Sequence, residues 1–169
     1  MAIELISRVT TSAVSSVNFT NLPQTGTDLI VHISARSTTN QAVSDLQVRA
    51  NNSASNIYFY RGFFATGTGT VTGSYGNQYT TAITVPINGA SSDGNVFSTS
   101  ILEIFDYSLG APQSSYTLLS ATENGSTTNF NMMRTTGYFD LTVAITQLNF
   151  LTNFAAGSTI SIYKRTAGN

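Results

Sequence analysis

The chain has 169 residues, a formal net charge of −1 and charged side chains at only 9% of its positions, so one domain is expected. These values exclude the strongly basic surface of a nucleic-acid-binding protein, and no apolar run approaches the roughly 20 residues that span a membrane. The absence of cysteine and the presence of a single histidine leave few groups for catalysis or metal binding. So low a charge favours a protein that works inside an assembly.

The N-terminal segment, residues 1–12, is predicted to be an arm or the first strand, followed by a single domain over residues 13–169. It lacks the apolar stretch of a secretory signal. We expect its side chains to anchor the protein to a partner or a sister subunit, and the alternative is that they only complete the first strand. The residues predicted to bind are Ile3, Leu5, Ile6, Arg8 and Val9.

Alternation of apolar and polar residues with a period of two, which is typical of half-buried strands, recurs along the rest of the chain. It is clearest at 29–36, 45–50, 138–146 and 160–165. Weaker strand candidates lie at 13–20, 57–65, 116–122 and 147–154. The segment 96–107 is apolar on both faces, so we expect it to be the most central strand.

Turn-forming residues separate these segments, and no convincing helical period occurs. The glycine-rich stretch 67–76 indicates a mobile loop or an exposed hairpin tip, and a short helical turn is predicted near residues 129–134. Many short strands with regular turns predict an all-β protein, an antiparallel β-sandwich of the jelly-roll kind. The alternative is an immunoglobulin-like sandwich, although the chain has neither the tryptophan nor the cysteines typical of that core.

Two residues, His32 and Glu103, are catalytic candidates because of their side chains, and neither indicates an enzyme. His32 lies on the strand face opposite Leu29 and Val31, where a surface or interface histidine is expected. Glu103 is expected either to be half-buried beside Arg49 or Arg61, or to face a neighbouring subunit. No catalytic residue, metal site or cofactor is predicted, because no histidine pair and no calcium-loop spacing of acidic residues occurs.

Tyrosines suggest a binding surface in the first half of the chain. Tyr58 and Tyr60 share one face of a predicted strand, because alternate strand residues point the same way. Tyrosine rings are favoured at protein interfaces and have flat apolar faces on which a sugar ring stacks. The predicted subunit interface or glycan surface consists of Tyr58, Tyr60, Tyr75 and Tyr79.

Two longer stretches resemble a diffuse group of tailed-phage virion proteins found in phages of cyanobacteria and marine bacteria. The first is FTNLPQTGTDLIVHISARS at 19–37, and the second is ITQLNFLTNFAAGSTISIY at 145–163. In that group, similar segments frame a single β-sandwich. Gly26 stands where the group usually has an aromatic residue, and Ile162 replaces the usual leucine. The resemblance brings no catalytic residues with it.

The resemblance implies a non-enzymatic structural protein of the virion. A free-standing domain without a fibre shaft favours a capsid decoration, or cement, protein that binds the major capsid protein on the capsid exterior. It is expected to assemble as a homotrimer in the host cytoplasm, without a nucleic-acid or membrane partner. The alternative is a tail-fibre or receptor-binding domain that recognises a host surface glycan.

Overall fold

The computed structural model describes residues 2–66, 71–109, 114–122 and 131–166, and gives the backbone alone at 66 and 71–79. Their secondary structure consists of twelve strands. These are β1 (Ala2–Thr10), β2 (Ser16–Phe19), β3 (Asp28–Ala35), β4 (Val43–Ala50), β5 (Tyr58–Thr66), β6 (Val71–Thr80), β7 (Ile83–Asn88), β8 (Ser98–Ile104), β9 (Ser114–Thr122), β10 (Asn131–Phe139), β11 (Leu148–Leu151) and β12 (Thr159–Thr166).

The strands form two sheets in which all neighbouring strands are antiparallel. The larger sheet has eight strands in the order β1-β12-β3-β8-β9-β10-β5-β6, and the smaller has four in the order β2-β11-β4-β7. Side chains from both sheets join one hydrophobic core. The predicted all-β, antiparallel sandwich is therefore confirmed, while the jelly-roll order of connections stays a prediction.

The core forms where the alternation is cleanest. Leu29, Val31 and Ile33 on β3 are almost fully buried, whereas His32 between them is exposed. In the smaller sheet, Leu46 on β4 is buried in the same manner. Burying a side chain of this size contributes about 1.5–3 kcal/mol, so this alternation decides which face of each strand turns inward.

The segment 96–107, predicted to contain the most central strand, contains β8. β8 lies between β3 and β9 in the middle of the larger sheet. It is shorter than the apolar run 96–107, because Asp106 adopts a φ of 55°, a left-handed conformation that cannot continue a strand. The Asp106 N–H donates to the Asp28 carboxylate at 3.2 Å.

The predicted strand at 138–146 and the predicted helical turn near 129–134 are wrong for the described residues. The alternation at 138–146 does not form one strand, because β10 ends at Phe139 and residues 140–147 cross irregularly from the larger to the smaller sheet. Ile145 is buried in that crossing, and its N–H donates to the Tyr107 carbonyl at 2.8 Å. The predicted helical turn is replaced by β10, whose residues 131–134 pair with both β5 and β9.

An aromatic cluster joins β5, β9 and β10 inside the sandwich. The rings of Tyr58 and Phe139 meet edge to face at 5.6 Å, and Tyr116 lies 5.1 Å from Phe139. The Tyr58 hydroxyl accepts a hydrogen bond from the Ala50 N–H at 3.0 Å and donates one to the Ser53 carbonyl at 2.9 Å. This cluster therefore ties β5 to the end of β4.

Burial of Tyr58 predicts a loss of stability at alkaline pH. Burial raises the pKa of its hydroxyl to about 12, so the folded protein holds this proton more tightly than the unfolded chain does. The resulting stabilisation is complete below pH 10, the ordinary tyrosine pKa, and is lost as the pH rises towards 12. Since each tenfold difference in proton affinity is worth about 1.4 kcal/mol, the loss is about 3 kcal/mol. Urea unfolding between pH 8 and 12 measures it.

The matched variant is Tyr58→Phe, which keeps the ring and removes the titrating hydroxyl. It is expected to be about 1–3 kcal/mol less stable than the wild type at pH 8, because the Ala50 N–H and the Ser53 carbonyl lose their partner. The difference in the free energy of unfolding between the wild type and Tyr58→Phe should vanish as the pH approaches 12. An equal pH slope in both proteins would contradict the assignment to Tyr58.

Candidate interaction surface

The surface with the most unusual chemistry is the outer face of the eight-stranded sheet, the side turned away from the core. The strand register places one row of side chains across five strands. In that row His32 opposes Ile101, Ile101 opposes Leu119, Leu119 opposes Arg134, and Arg134 opposes Phe63. Leu119 is 49% exposed, Phe63 43% and Ile101 36%. We call this set the outer row.

Strand β1 extends this apolar character to the edge of the sheet. Its pairing with β12 shifts between Leu5 and Ser7, since Ser7 opposes Ile162 and Leu5 opposes Tyr163. Because Ile162 is a core residue, its neighbour Tyr163 points outward, and Leu5 lies on the same side. The bulge therefore turns Leu5 towards the outer face.

The five predicted residues of the N-terminal segment thus divide into two groups. Ile3 and Leu5 are 61% and 50% exposed, and Arg8 is also exposed. Ile6 and Val9 pack against the core instead. The segment is a paired strand and not a detached arm, so Ile3, Leu5 and Arg8 are the members that remain accessible to a partner.

A shallow depression marks the centre of the outer face. It has a volume of 310 Å³, and Ile101, Glu103, Thr117, Leu119 and Arg134 contribute to its lining. Apolar side chains from β8 and β9 form its floor, and one carboxylate and one guanidinium contribute charge. This mixture is the composition of a protein interface more than that of a catalytic cleft.

Arg165 pairs with two carboxylates beside the depression. The Arg165 side chain bonds the Asp28 carboxylate at 2.8 Å and lies 3.7 Å from the Glu103 carboxylate. Its guanidinium carbon also lies 5.6 Å from the centre of the Phe105 ring. Glu103 does have a basic partner, but that partner is Arg165 and not the predicted Arg49 or Arg61, because β12 and β8 flank the same strand, β3.

His32 lies on the outer face as the alternation predicts. Its ring is 5.3 Å from the Tyr163 ring, and within the described ranges no hydrogen bond connects it to a carboxylate or a serine. The same part of the chain contains no cluster of three or more potential metal ligands. The geometry around His32 is that of an aromatic contact on a surface.

The predicted tyrosine surface needs a correction. Tyr58 is fully buried in the aromatic cluster, so its ring is not available to a sugar or a subunit. Tyr60 shares the inward direction and is half-buried. Tyr75 and Tyr79 belong to β6, where their side chains lie outside the described residues. The shared face of Tyr58 and Tyr60 is the core face of β5.

Sequence reasoning missed the outward face of the same strand. Phe59 and Phe63 point outward, and the Phe59 ring stacks on Tyr138 at 4.4 Å with an interplanar angle of 9°. The sequence does contain an indication of this outward face. Residues 57–65 have aromatic side chains on both faces, and a strand buried on one face leaves one of these two sets outside the core. Which set it was could not be told from alternation alone.

Comparisons with family models, with curated proteins and with solved structures found no match for this chain. In the described ranges, the secondary structure includes no helix with the length and apolar character needed to cross a membrane.

Proposed function

We propose that this chain is a non-enzymatic structural protein of a phage virion, a capsid decoration protein that binds the assembled shell through the outer face of its eight-stranded sheet. The observation that carries the proposal is the outer row, in which Ile101, Leu119 and Phe63 stay exposed on regular, paired strands. The resemblance of residues 19–37 and 145–163 to virion proteins supports the choice of assembly.

The physical argument starts from the cost of an exposed apolar face. Contiguous apolar side chains on a sheet surface are typical of interaction sites, because a monomer gains nothing from leaving them in water. Here Ile101 and Leu119 are neighbours at the centre of the sheet, and Leu5 and Phe63 add exposed apolar side chains nearer its two edges. A face of this kind suits a partner that covers it over a broad area.

The paired charges on the face also suit burial. Arg165 is already neutralised by Asp28 and Glu103, so covering these groups leaves fewer charges without a partner. Serine and threonine supply the remaining polar contacts, as Thr117 does in the central depression. The interface is thus expected to be apolar at its centre and hydrogen-bonded around it.

Many copies on one shell make a modest contact sufficient. A standard interface buries about 1,200–2,000 Å², and repetition over the shell, with a homotrimer at its symmetry axes, multiplies the stabilisation against internal pressure. The proposed partner is the major capsid protein on the capsid exterior, after assembly in the host cytoplasm. The proposal needs no catalytic group, nucleic acid, membrane or cofactor.

Replacing Leu119 by aspartate is expected to weaken binding to shells stripped of this protein by at least about tenfold. The new carboxylate would have to lose its water at an apolar contact even though Arg134 lies opposite it, and a tenfold loss corresponds to about 1.4 kcal/mol. Leu119→Thr keeps the strand preference of the site and should show a smaller loss in the same direction. Co-sedimentation with shells gives the affinity, and thermal unfolding confirms the fold.

The matched control is Val143→Asp. Val143 is 57% exposed but lies in the irregular segment outside both sheets, so its variant should bind like the wild type. The wild-type protein is also quantified in separated heads and tails. Unchanged binding of Leu119→Asp, or a tail location at a few copies per particle, would overturn the proposal. Leu5→Asp in the same assay reports whether β1 belongs to the interface.

A further inference from the structure

A cleft of 330 Å³ lies at the edge of the smaller sheet, away from the outer face, where the larger sheet extends past β7. The larger sheet contributes Tyr60, Phe64 and Met133 to its lining, and the smaller sheet contributes Asp45, Thr84 and Pro86. The volume lies within the range of about 300–1,000 Å³ that is typical of small-ligand sites. An apolar lining with few polar groups is typical of such sites as well.

The fold explains why the cleft exists. β7 is the last strand of the smaller sheet, and it packs against β8 and β9, where the Ser120 hydroxyl donates to the Pro86 carbonyl at 3.0 Å. The larger sheet continues past this point with β10, β5 and β6. Its inner face is therefore left uncovered by the smaller sheet beyond β7, and the cleft occupies that position.

Strand register makes both walls well defined. Met133 on β10 opposes Phe64 on β5, so these two side chains stand side by side on one wall. Asp45 on β4 opposes Pro86 on β7, which places a carboxylate beside a proline ring on the other wall. Both pairs are held by the backbone ladders of their sheets, so the cleft is formed before any ligand arrives.

Among the described residues of this lining, Asp45 is the charged one, and its side chain is exposed to solvent. Among the described residues, its carboxylate forms no hydrogen bond and no ion pair. Partial burial raises the pKa of the Asp45 carboxyl, although its side chain keeps its contact with solvent. A cation placed in the cleft would be attracted to this carboxylate, whereas an anion would be repelled by it.

We infer that this cleft binds the alkylammonium group of a lysine side chain presented by a protein partner. The ammonium would pair with Asp45, and its methylene stem would pack on Met133 and Pro86. The rings of Tyr60 and Phe64 add the attraction between a cation and an aromatic face. A neutral sugar would stack on the rings but bring no opposite charge to Asp45, so the lysine is favoured by charge complementarity.

The inference does not rest on the proposed shell contact, which uses the opposite face of the larger sheet. It is tested on the full chain alone by an NMR titration with N-acetyl-lysine-N-methylamide. Saturable shifts are expected at the cleft residues, and Asp45→Asn should weaken binding by about two- to fivefold. The control Asp93→Asn removes an exposed carboxylate outside the cleft and should bind like the wild type.

A second probe keeps the test independent of any variant. N-acetyl-norleucine-N-methylamide has the same apolar stem without the ammonium, so its binding to the wild type should be at least about fivefold weaker. Equal binding of the two probes, or no saturable shift with the lysine probe, would overturn the inference. Stronger binding of methyl glucoside than of the lysine probe would overturn it in favour of a glycan site.

Discussion

Replacing Phe139 by alanine is expected to lower the free energy of unfolding by about 3–5 kcal/mol, the usual cost of deleting a fully buried phenylalanine ring. The side chain has no exposed surface, and its ring contacts Tyr58 on β5 and Tyr116 on β9. Removing it leaves a cavity among aromatic rings held by three strands, so little collapse can fill the space. Urea denaturation followed by circular dichroism measures the change.

The matched control is Phe63→Ala, which removes the same ring from the outer face. Phe63 is 43% exposed, so its loss should cost less than about 1 kcal/mol in the isolated protein. The loss of stability for Phe139→Leu should lie between those for Phe139→Ala and Phe63→Ala, because leucine fills part of the cavity. Similar losses for Phe139→Ala and Phe63→Ala would show that the inner and outer faces of β5 and β10 are assigned wrongly.

The second large effect is expected at Gly137, where alanine should destabilise the fold by about 1–3 kcal/mol or more. A Cβ atom there would come within 2.0 Å of the Phe59 carbonyl oxygen and 2.6 Å of the Tyr116 ring. Neither can retreat easily, because Phe59 belongs to the paired strand β5 and Tyr116 is fully buried. Thermal and urea unfolding report the loss.

Gly94→Ala is the control for this substitution. A Cβ atom at Gly94 meets nothing within 4 Å, so the change should be close to neutral or slightly stabilising. The pair separates a steric effect at Gly137 from the general effect of alanine on backbone freedom. A neutral Gly137→Ala would mean that the Tyr116 ring does not occupy the position described.

The strand content was predictable because strand alternation is a local property. Leu29, Val31 and Ile33 reveal their shared face within five residues of sequence, and the same alternation is seen at Leu46 and Val48. Alternation also placed His32 on the opposite face correctly. Where one face is apolar and the other polar, burial leaves only one orientation, so structure and prediction agree.

Prediction was incomplete where both faces are apolar. On β5 the buried set includes Tyr58, while Phe63 is outside, and on β8 Leu102 is buried while Ile101 is exposed. Both assignments depend on which strands pair and on which side the smaller sheet packs. The candidate interaction surface is therefore only partly predictable, and the prediction of Tyr58 as a surface residue is wrong for the same reason.

Long-range contacts decided the roles of residues that look ordinary in the sequence. The Arg36 guanidinium donates to the carbonyls of Ala90, Ser92 and Val96 at 3.2, 3.0 and 3.2 Å, which holds the segment between β7 and β8. Arg165 pairs with Glu103 across β3 in a comparable way. No spacing in the sequence indicates such partners, because more than fifty residues separate them.

By itself, the sequence determined the all-β class, the low charge and the inward residues of the cleanest strands, since these follow from composition and from a period of two. Only the tertiary structure decided the strand order, the bulge that turns Leu5 outward, the outer row and the cleft beside Asp45. The physical reason is that each of these depends on register between distant strands. Register is settled by which apolar faces can be buried together, and that is a property of the whole fold.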